Sequence, residues 1–308
     1  MSKQAWVFPG QGSQSLGMLS ELAAEYTIIQ DTFAQASEAL GYDLWSVTQN
    51  DEHKLNQTNI TQPALLAASY AIYKLLLEKG LNQPAYLAGH SLGEYSALVC
   101  AGVIDFVDAV KLVKARGQFM QQAVPAGIGA MYAIIGLDDD KVVASCEQAQ
   151  TETSEVVAAV NFNSPGQIVI AGNKYAAEVA ASLCKERGAK RALPLAVSVP
   201  SHCALMKPAA IQLESLIKGI QFKTPKIPVV NNVNVAFPNE PDDIKQALVK
   251  QLYSPVRWTE TIVKLAELEV EALLEVGPGK VLTGLTKRID KRLSCTAINT
   301  VESVNSLV

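Results

Sequence analysis

Five residues, Gly89-His90-Ser91-Leu92-Gly93, have the types and spacing to present a serine hydroxyl for attack. They read Gly-x-Ser-x-Gly. Residues 85–88 before them are short, mostly apolar and strand-like, and residues 94–100 after them carry apolar side chains at helical spacing. A strand that turns sharply into a helix holds a serine out at the turn apex. Glycines flank it because a Cβ at either position would collide with the neighbouring strand or helix. The N-terminus of the following helix offers free N–H groups and the positive end of its dipole, where an oxyanion can form.

A serine hydroxyl is a poor nucleophile near neutral pH and needs a base, usually histidine. The chain has three histidines, His53, His90 and His202. On an elbow the side chain of His90 points away from that of Ser91, so His90 reads as a packing residue. His53 lies in the polar stretch 49–54 and reads as solvated surface. His202 follows Val197-Ser198-Val199-Pro200-Ser201, an extended segment that ends just before a helix. Loops and strand ends are where open α/β folds keep catalytic groups. By elimination, His202 is the base. No acid stands out to orient it: Asp105, Asp108, Asp138, Asp139 and Asp140 read as helix starts or surface. A backbone carbonyl accepting from Nδ1–H would fix the tautomer instead, while stabilising the imidazolium less than a carboxylate would.

These groups need a scaffold, and the chain is long enough for one. Its 308 residues can bury a large core and make two domains. Hydrophobic residues make up 49% and charged residues 18%, which fits a compact chain and excludes a disordered one. A net charge of −4 argues against a nucleic-acid binder, which is usually basic. No apolar run is expected to approach the ~20 residues of a membrane span. The first nine residues lack the long apolar segment of a signal peptide. Five cysteines without a Cys-x-x-Cys pair suggest neither a zinc site nor a disulfide framework, and a reducing cytoplasm is the expected setting.

Residues 5–8 read as a short buried strand, and helical patterns follow to about residue 80. After the elbow and its helix, a further helix runs from about 105 to 124. The texture then changes. Strands are expected at 130–135, 156–160, 167–171 and 190–195, with helices at 138–150 and 174–187. Asp138 would cap the first of these helices, and residues 161–166 would form a turn-rich link. That β-α-β-β-α-β order is the ferredoxin-like unit. Residues 127–198 are therefore read as a subdomain inserted into a discontinuous core of 1–126 and 199–308. Later strands near 227–230, 272–276 and 296–298 alternate with helices, implying a mostly parallel, helix-covered sheet.

The motif set is more specific than the elbow alone. Phe8-Pro9-Gly10-Gln11-Gly12-Ser13-Gln14, Thr61-Gln62-Pro63-Ala64, Gly89-His90-Ser91-Leu92-Gly93-Glu94, Arg116-Gly117, Val199-Pro200-Ser201-His202, Pro255-Val256-Arg257-Trp258 and Glu275-Val276-Gly277-Pro278-Gly279 stand in order. Together they resemble the malonyl-CoA:acyl-carrier-protein transacylases of bacterial type II fatty-acid synthesis, from about residue 7 to 289. The resemblance implies an α/β-hydrolase-like core with an inserted ferredoxin-like subdomain. It implies that Ser91 carries malonyl as an ester and that His202 is general base and then general acid. A main-chain carbonyl near Gln251 would orient His202, and the N–H groups of Gln11 and Leu92 would form the oxyanion hole. Arg116 would bind the free carboxylate of malonate, with Gln62 supporting Arg116 or the substrate. Malonyl differs from acetyl by that carboxylate, and a guanidinium matches it bidentately and stays charged when partly buried. The implied partners are malonyl-CoA and an acidic, phosphopantetheinylated acyl carrier protein, with no metal, redox cofactor, nucleic acid or membrane.

Other features carry less. Gly10-Gln11-Gly12-Ser13-Gln14-Ser15 lacks the third glycine of a dinucleotide fingerprint. Gly277-Pro278-Gly279-Lys280-Val281 has Leu274 where a phosphate loop needs its first glycine, and reads as a strand-to-helix turn. Cys203 reads as a small core residue. Two basic runs, Lys287, Arg288, Lys291 and Arg292, and Lys185, Arg187, Lys190 and Arg191, would steer an acidic carrier or simply be solvated. A serine hydrolase shares the elbow and His202 but has less reason for a carboxylate-binding arginine. A polyketide-type acyltransferase with another extender, and a non-catalytic scaffold, stay open on the residues alone.

Overall fold

The computed structural model describes residues 3–196 and 199–307. Val197 and Ser198 of the expected extended segment, and hence the boundary at 198, lie outside the described residues. Among the described residues, nine strands run in chain order: β1 Lys3–Phe8, β2 Tyr86–Gly89, β3 Gly129–Ile135, β4 Val157–Ser164, β5 Gln167–Asn173, β6 Arg191–Pro194, β7 Val229–Val230, β8 Val270–Val276 and β9 Ser294–Ile298. They form two sheets. One has five parallel strands in the order β7-β2-β1-β8-β9, and the other has four antiparallel strands in the order β4-β5-β3-β6. The second order, with helices Asp139–Thr153 and Lys174–Glu186 between its strands, is the ferredoxin-like arrangement. The fold is α/β, with an α/β-hydrolase-like parallel core.

The parallel sheet is buried on both faces, as the apolar run of β1 requires. Its side chains alternate across the sheet. Trp6 and Phe8 join one core with helices Thr58–Glu78 and Phe106–Ala123, while Ala5 and Val7 join another with helix Trp258–Glu267. Helix Thr58–Glu78 corrects one expectation. Its 21 residues are long and apolar enough to cross a membrane, yet 78% of its most apolar stretch is buried in the fold. It is the central helix of the larger core.

Strand β4 corrects another. It runs on through Asn161 to Ser164, so most of the expected link 161–166 is paired strand. The strand continues because β5 pairs with it in a hairpin, Asn161 against Val169 and Phe162 against Ile168, and a tertiary contact holds its outer edge. Phe162 N–H donates to Val256 O at 3.0 Å, and Val256 N–H donates to Val160 O at 2.8 Å. These bonds stitch β4 to the larger sheet's surroundings and turn Asn161 and Asn163 toward the elbow. Asp138 stands at its helix start without a capping bond, and its carboxylate pairs with Lys141 at 3.0 Å instead.

Candidate active site

The elbow forms where β2 passes into helix Leu92–Cys100. A Cβ on Gly89 would lie 1.9 Å from Gly93 C, and one on Gly93 would lie 2.0 Å from Phe8 O. Only glycine fits either place. Ser91 itself sits at φ 51°, ψ −109°, a region that costs a non-glycine residue energy and that recurs at functional sites. Its N–H donates to Asn232 Oδ1 at 2.8 Å, and Asn232 Nδ2 donates to Gly89 O at 2.7 Å. The two bonds brace the strained turn from the end of β7.

His202 also has a positive φ, 63°, and its N–H is held by Leu252 O at 3.0 Å. Its Nδ1–H donates to Gln251 O at 2.7 Å, and Ser91 Oγ lies 2.8 Å from Nε2. With Nδ1 protonated against a carbonyl, Nε2 has its lone pair free to accept from the serine hydroxyl. Burial, and then the nearby Arg116 cation, push the imidazole down to about 3. It is neutral at physiological pH and ready to take a proton.

Arg116 lies on helix Phe106–Ala123 and is 1% exposed. Nη1 donates to Gln62 Oε1 at 2.8 Å, and Nη2 donates to Gln251 Oε1 at 3.0 Å. Nη2 also points at Ser91 Oγ, 3.4 Å away. The guanidinium carbon sits 5.3 Å over the ring of Tyr95, close enough for a cation–π contact. Nε has no acceptor among the described residues. A buried cation is normally paired with an anion. Here two neutral amides solvate it, directly beside the nucleophile.

A cavity of about 110 Å³ joins these groups, with Met120, Met131, Leu195 and Val199 as apolar walls. Gln11, His90, Asn161 and Leu195 also line a larger open groove of about 730 Å³, which runs from the loop after β1 across β4 and β5 past Asn163 and Gln167. Among the described residues, no acceptor takes the N–H of Leu92 or Gln11, so both donors are free at the pocket.

Comparison with known proteins decides the family. The acyl transferase domain model matches residues 5–304. The malonyl CoA-acyl carrier protein transacylase of Haemophilus influenzae is 63% identical over 309 residues, spanning 100% of this chain and 98% of that protein. The same-named protein of Escherichia coli K12 is 60% identical, spanning 97% of this chain and 96% of its own. The chain belongs to the malonyl CoA-acyl carrier protein transacylase family. A crystal structure of an acyl carrier protein S-malonyltransferase from Vibrio cholerae, 62% identical, covers both chains fully with a TM-score of 0.97. A malonyl-transacylase solved with its type II polyketide acyl-carrier protein is 58% identical, covers 99% of this chain and 98% of its own, and has a TM-score of 0.98.

Within this family frame, Ser91, His202, Arg116, Gln11 and Leu92 line one pocket, and Gln62 and Gln251 hold Arg116 from behind it. His53 is exposed at the outer groove, away from Ser91. His90 is tied by Nε2 to Asn163 Oδ1 at 2.8 Å and packs edge-on against Trp258, bracing the elbow against β4. Cys203 is 2% exposed, and burial pushes its thiol up to about 11. Sequence reasoning missed Asn232, Asn161 and the side chain of Gln251. The one signal for Asn232 was its place just past a parallel strand's C-terminal end, where open α/β sheets gather their ligands.

Proposed function

We propose that this chain moves malonyl from malonyl-CoA to the phosphopantetheine thiol of an acyl carrier protein. One observation carries the reading: a buried arginine without a carboxylate partner among the described residues lies 3.4 Å from the nucleophile. The substrate's own carboxylate would be its anion. An acetyl group would leave that cation unpaired. The relatives named for malonyl transfer support the same conclusion.

The mechanism is ping-pong. His202 Nε2 takes the Ser91 proton as Oγ attacks the thioester carbonyl. The N–H groups of Gln11 and Leu92 receive the oxyanion. The C–S bond breaks, and CoA leaves as a thiol with the proton from His202. The carrier thiol then attacks the Ser91 ester, losing its proton to His202. Collapse frees Oγ, which takes that proton back. The amide-rich groove of Asn161, Asn163 and Gln167 suits the two amides of a pantetheine arm. The product feeds chain elongation. Incubation with malonyl-CoA and carrier protein, then intact mass of both, tests this. Malonyl should appear on the chain first and pass to the carrier. Hydrolysed malonate with an unmodified carrier would show a hydrolase instead.

Three companion readings follow. Residues 127–198 are an insertion in a core of 1–126 and 199–308, supported by the separate antiparallel sheet. The setting is a reducing cytoplasm, supported by five free cysteines, four of them buried. The carrier docks on a basic rim that unites parts of the two charge runs. Arg288 donates to Gln167, which lines the groove, and Arg191 lies in register with Gln167 through Ile135. Arg187 instead is held by Ser145 and Gln148. Replacing Lys287 and Arg288 with alanine should raise KM for carrier by about 5-fold or more and flatten its salt dependence. Arg187→Ala should leave KM unchanged. Equal KM values in all three proteins would place the dock elsewhere.

A further inference from the structure

We propose that Glu94 is a positioning residue of the acyl pocket, fixing the direction of the Gln251 amide and through it the guanidinium of Arg116. The proposal rests on Arg116 receiving the malonyl carboxylate. Glu94 follows Ser91 by three residues, on the first turn of the elbow helix, and is 2% exposed. The proton transfers above make no use of it. Its Oε2 accepts from Asn232 N–H at 3.0 Å and from Gln251 Nε2 at 2.8 Å.

The chemistry of the three groups sets their order. A guanidinium only donates, an ionised carboxylate only accepts, and an amide has one end of each kind. Gln251 stands between Arg116 and Glu94, so its oxygen must face Arg116 and its NH2 must face Glu94. The reversed amide would set donor against donor and acceptor against acceptor, both buried. The same NH2 also reaches Ser91 O at 3.0 Å and Asn232 Oδ1 at 3.3 Å. The bond to Glu94 is the shortest of the three and the only one to a carboxylate, which makes it the strongest. Among the described residues, Gln62, the second amide on Arg116, has only the Met120 sulfur at 3.5 Å to hold its NH2. Gln251 is therefore the firmer of the two supports. Its main-chain carbonyl also holds His202 Nδ1, so one residue links the cation to the base.

The interposed amide has a consequence for specificity. A direct Glu94–Arg116 pair would occupy the guanidinium and compete with an incoming carboxylate. With the amide between them, Arg116 feels the charge of Glu94 while its Nε–H stays without an acceptor among the described residues. Burial pushes the Glu94 carboxyl up to about 7, against the pull of Asn232 N–H, the Gln251 amide and Arg116, and Oε2, which takes both bonds, accepts whether or not Oε1 carries a proton.

The test compares acyl-enzyme formation from malonyl-CoA and acetyl-CoA, each read as kcat/KM. Glu94→Ala should lower the malonyl-to-acetyl ratio by about 10-fold, the scale of one charge-assisted hydrogen bond. Glu94→Gln keeps an acceptor for Gln251 Nε2 and Asn232 N–H, and its NH2 can occupy the place of Oε1. It should restore most of the ratio. A folded E94A with the wild-type ratio, or an E94Q as impaired as E94A, overturns the proposal. A purely structural role would lower both rates together along with Tm. If E94A does not fold, Glu94→Asp carries the test. It shortens the reach by one methylene and should lower the ratio several-fold, and an unchanged ratio again overturns the proposal. Arg116→Ala is the control: if it leaves the ratio unchanged, the underlying reading of Arg116 has failed, not the role of Glu94.

Discussion

Ser91→Ala abolishes the malonyl-enzyme and lowers malonyl transfer by about 10⁴-fold or more, as expected when the nucleophile of a covalent mechanism is removed. The fold should tolerate it. Ser91 Oγ contacts His202 Nε2 and Arg116 Nη2 at the pocket, whereas the turn is held by backbone bonds and Asn232. Tm should therefore stay close to wild type. His202→Ala should cost as much in rate, because the two residues act as one unit and their losses do not add. The decisive measurement is intact mass after mixing with malonyl-CoA in the absence of carrier. Wild type should gain one malonyl group and Ser91→Ala none. Label persisting on the variant would mean that another residue is the nucleophile.

Arg116→Ala should lower kcat/KM for malonyl-CoA by about 100-fold or more, since truncating one partner of a buried charge pair costs about 2–5 kcal/mol. Acetyl-CoA makes no carboxylate contact and should lose far less, so the preference between the two narrows sharply or inverts. The variant also removes a buried cation whose partners are two amides. Gln62 and Gln251 then face a cavity, so stability should fall as well. The ratio of the two substrates at one temperature separates the effects, because lost folding lowers both rates alike. Equal losses for malonyl and acetyl would remove Arg116 from recognition. Arg116→Lys should recover only part of the malonyl rate. An ammonium keeps the charge, but it lacks the planar fork that can hold Gln62, Gln251 and a carboxylate at once.

The features legible in the chain were local. The glycines at 89 and 93 announce a turn that only a bare Cα can make, and the apolar periods on either side announce strand and helix. The β-α-β-β-α-β order between residues 129 and 194 was legible for the same reason, since each element's period and turns lie within its own few residues. His202 emerged because the chain has so few histidines. The role of Gln251 came through family resemblance, since no local pattern marks a carbonyl as special.

What the tertiary structure alone decided was pairing across distance. Residues 161–164 look like a turn by composition; they became strand in a hairpin with β5, and Val256, more than 90 residues later, bonds their outer edge. Asn232 and Gln251 reach Ser91 from 141 and 160 residues away. Glu94 lay inside the elbow motif, yet its place beneath Gln251 was invisible. Types and periods follow from each residue's own chemistry and near neighbours. Which amide faces which charge depends on the packing of strands and helices that bury them together, where an unpaired donor or acceptor is too costly to leave.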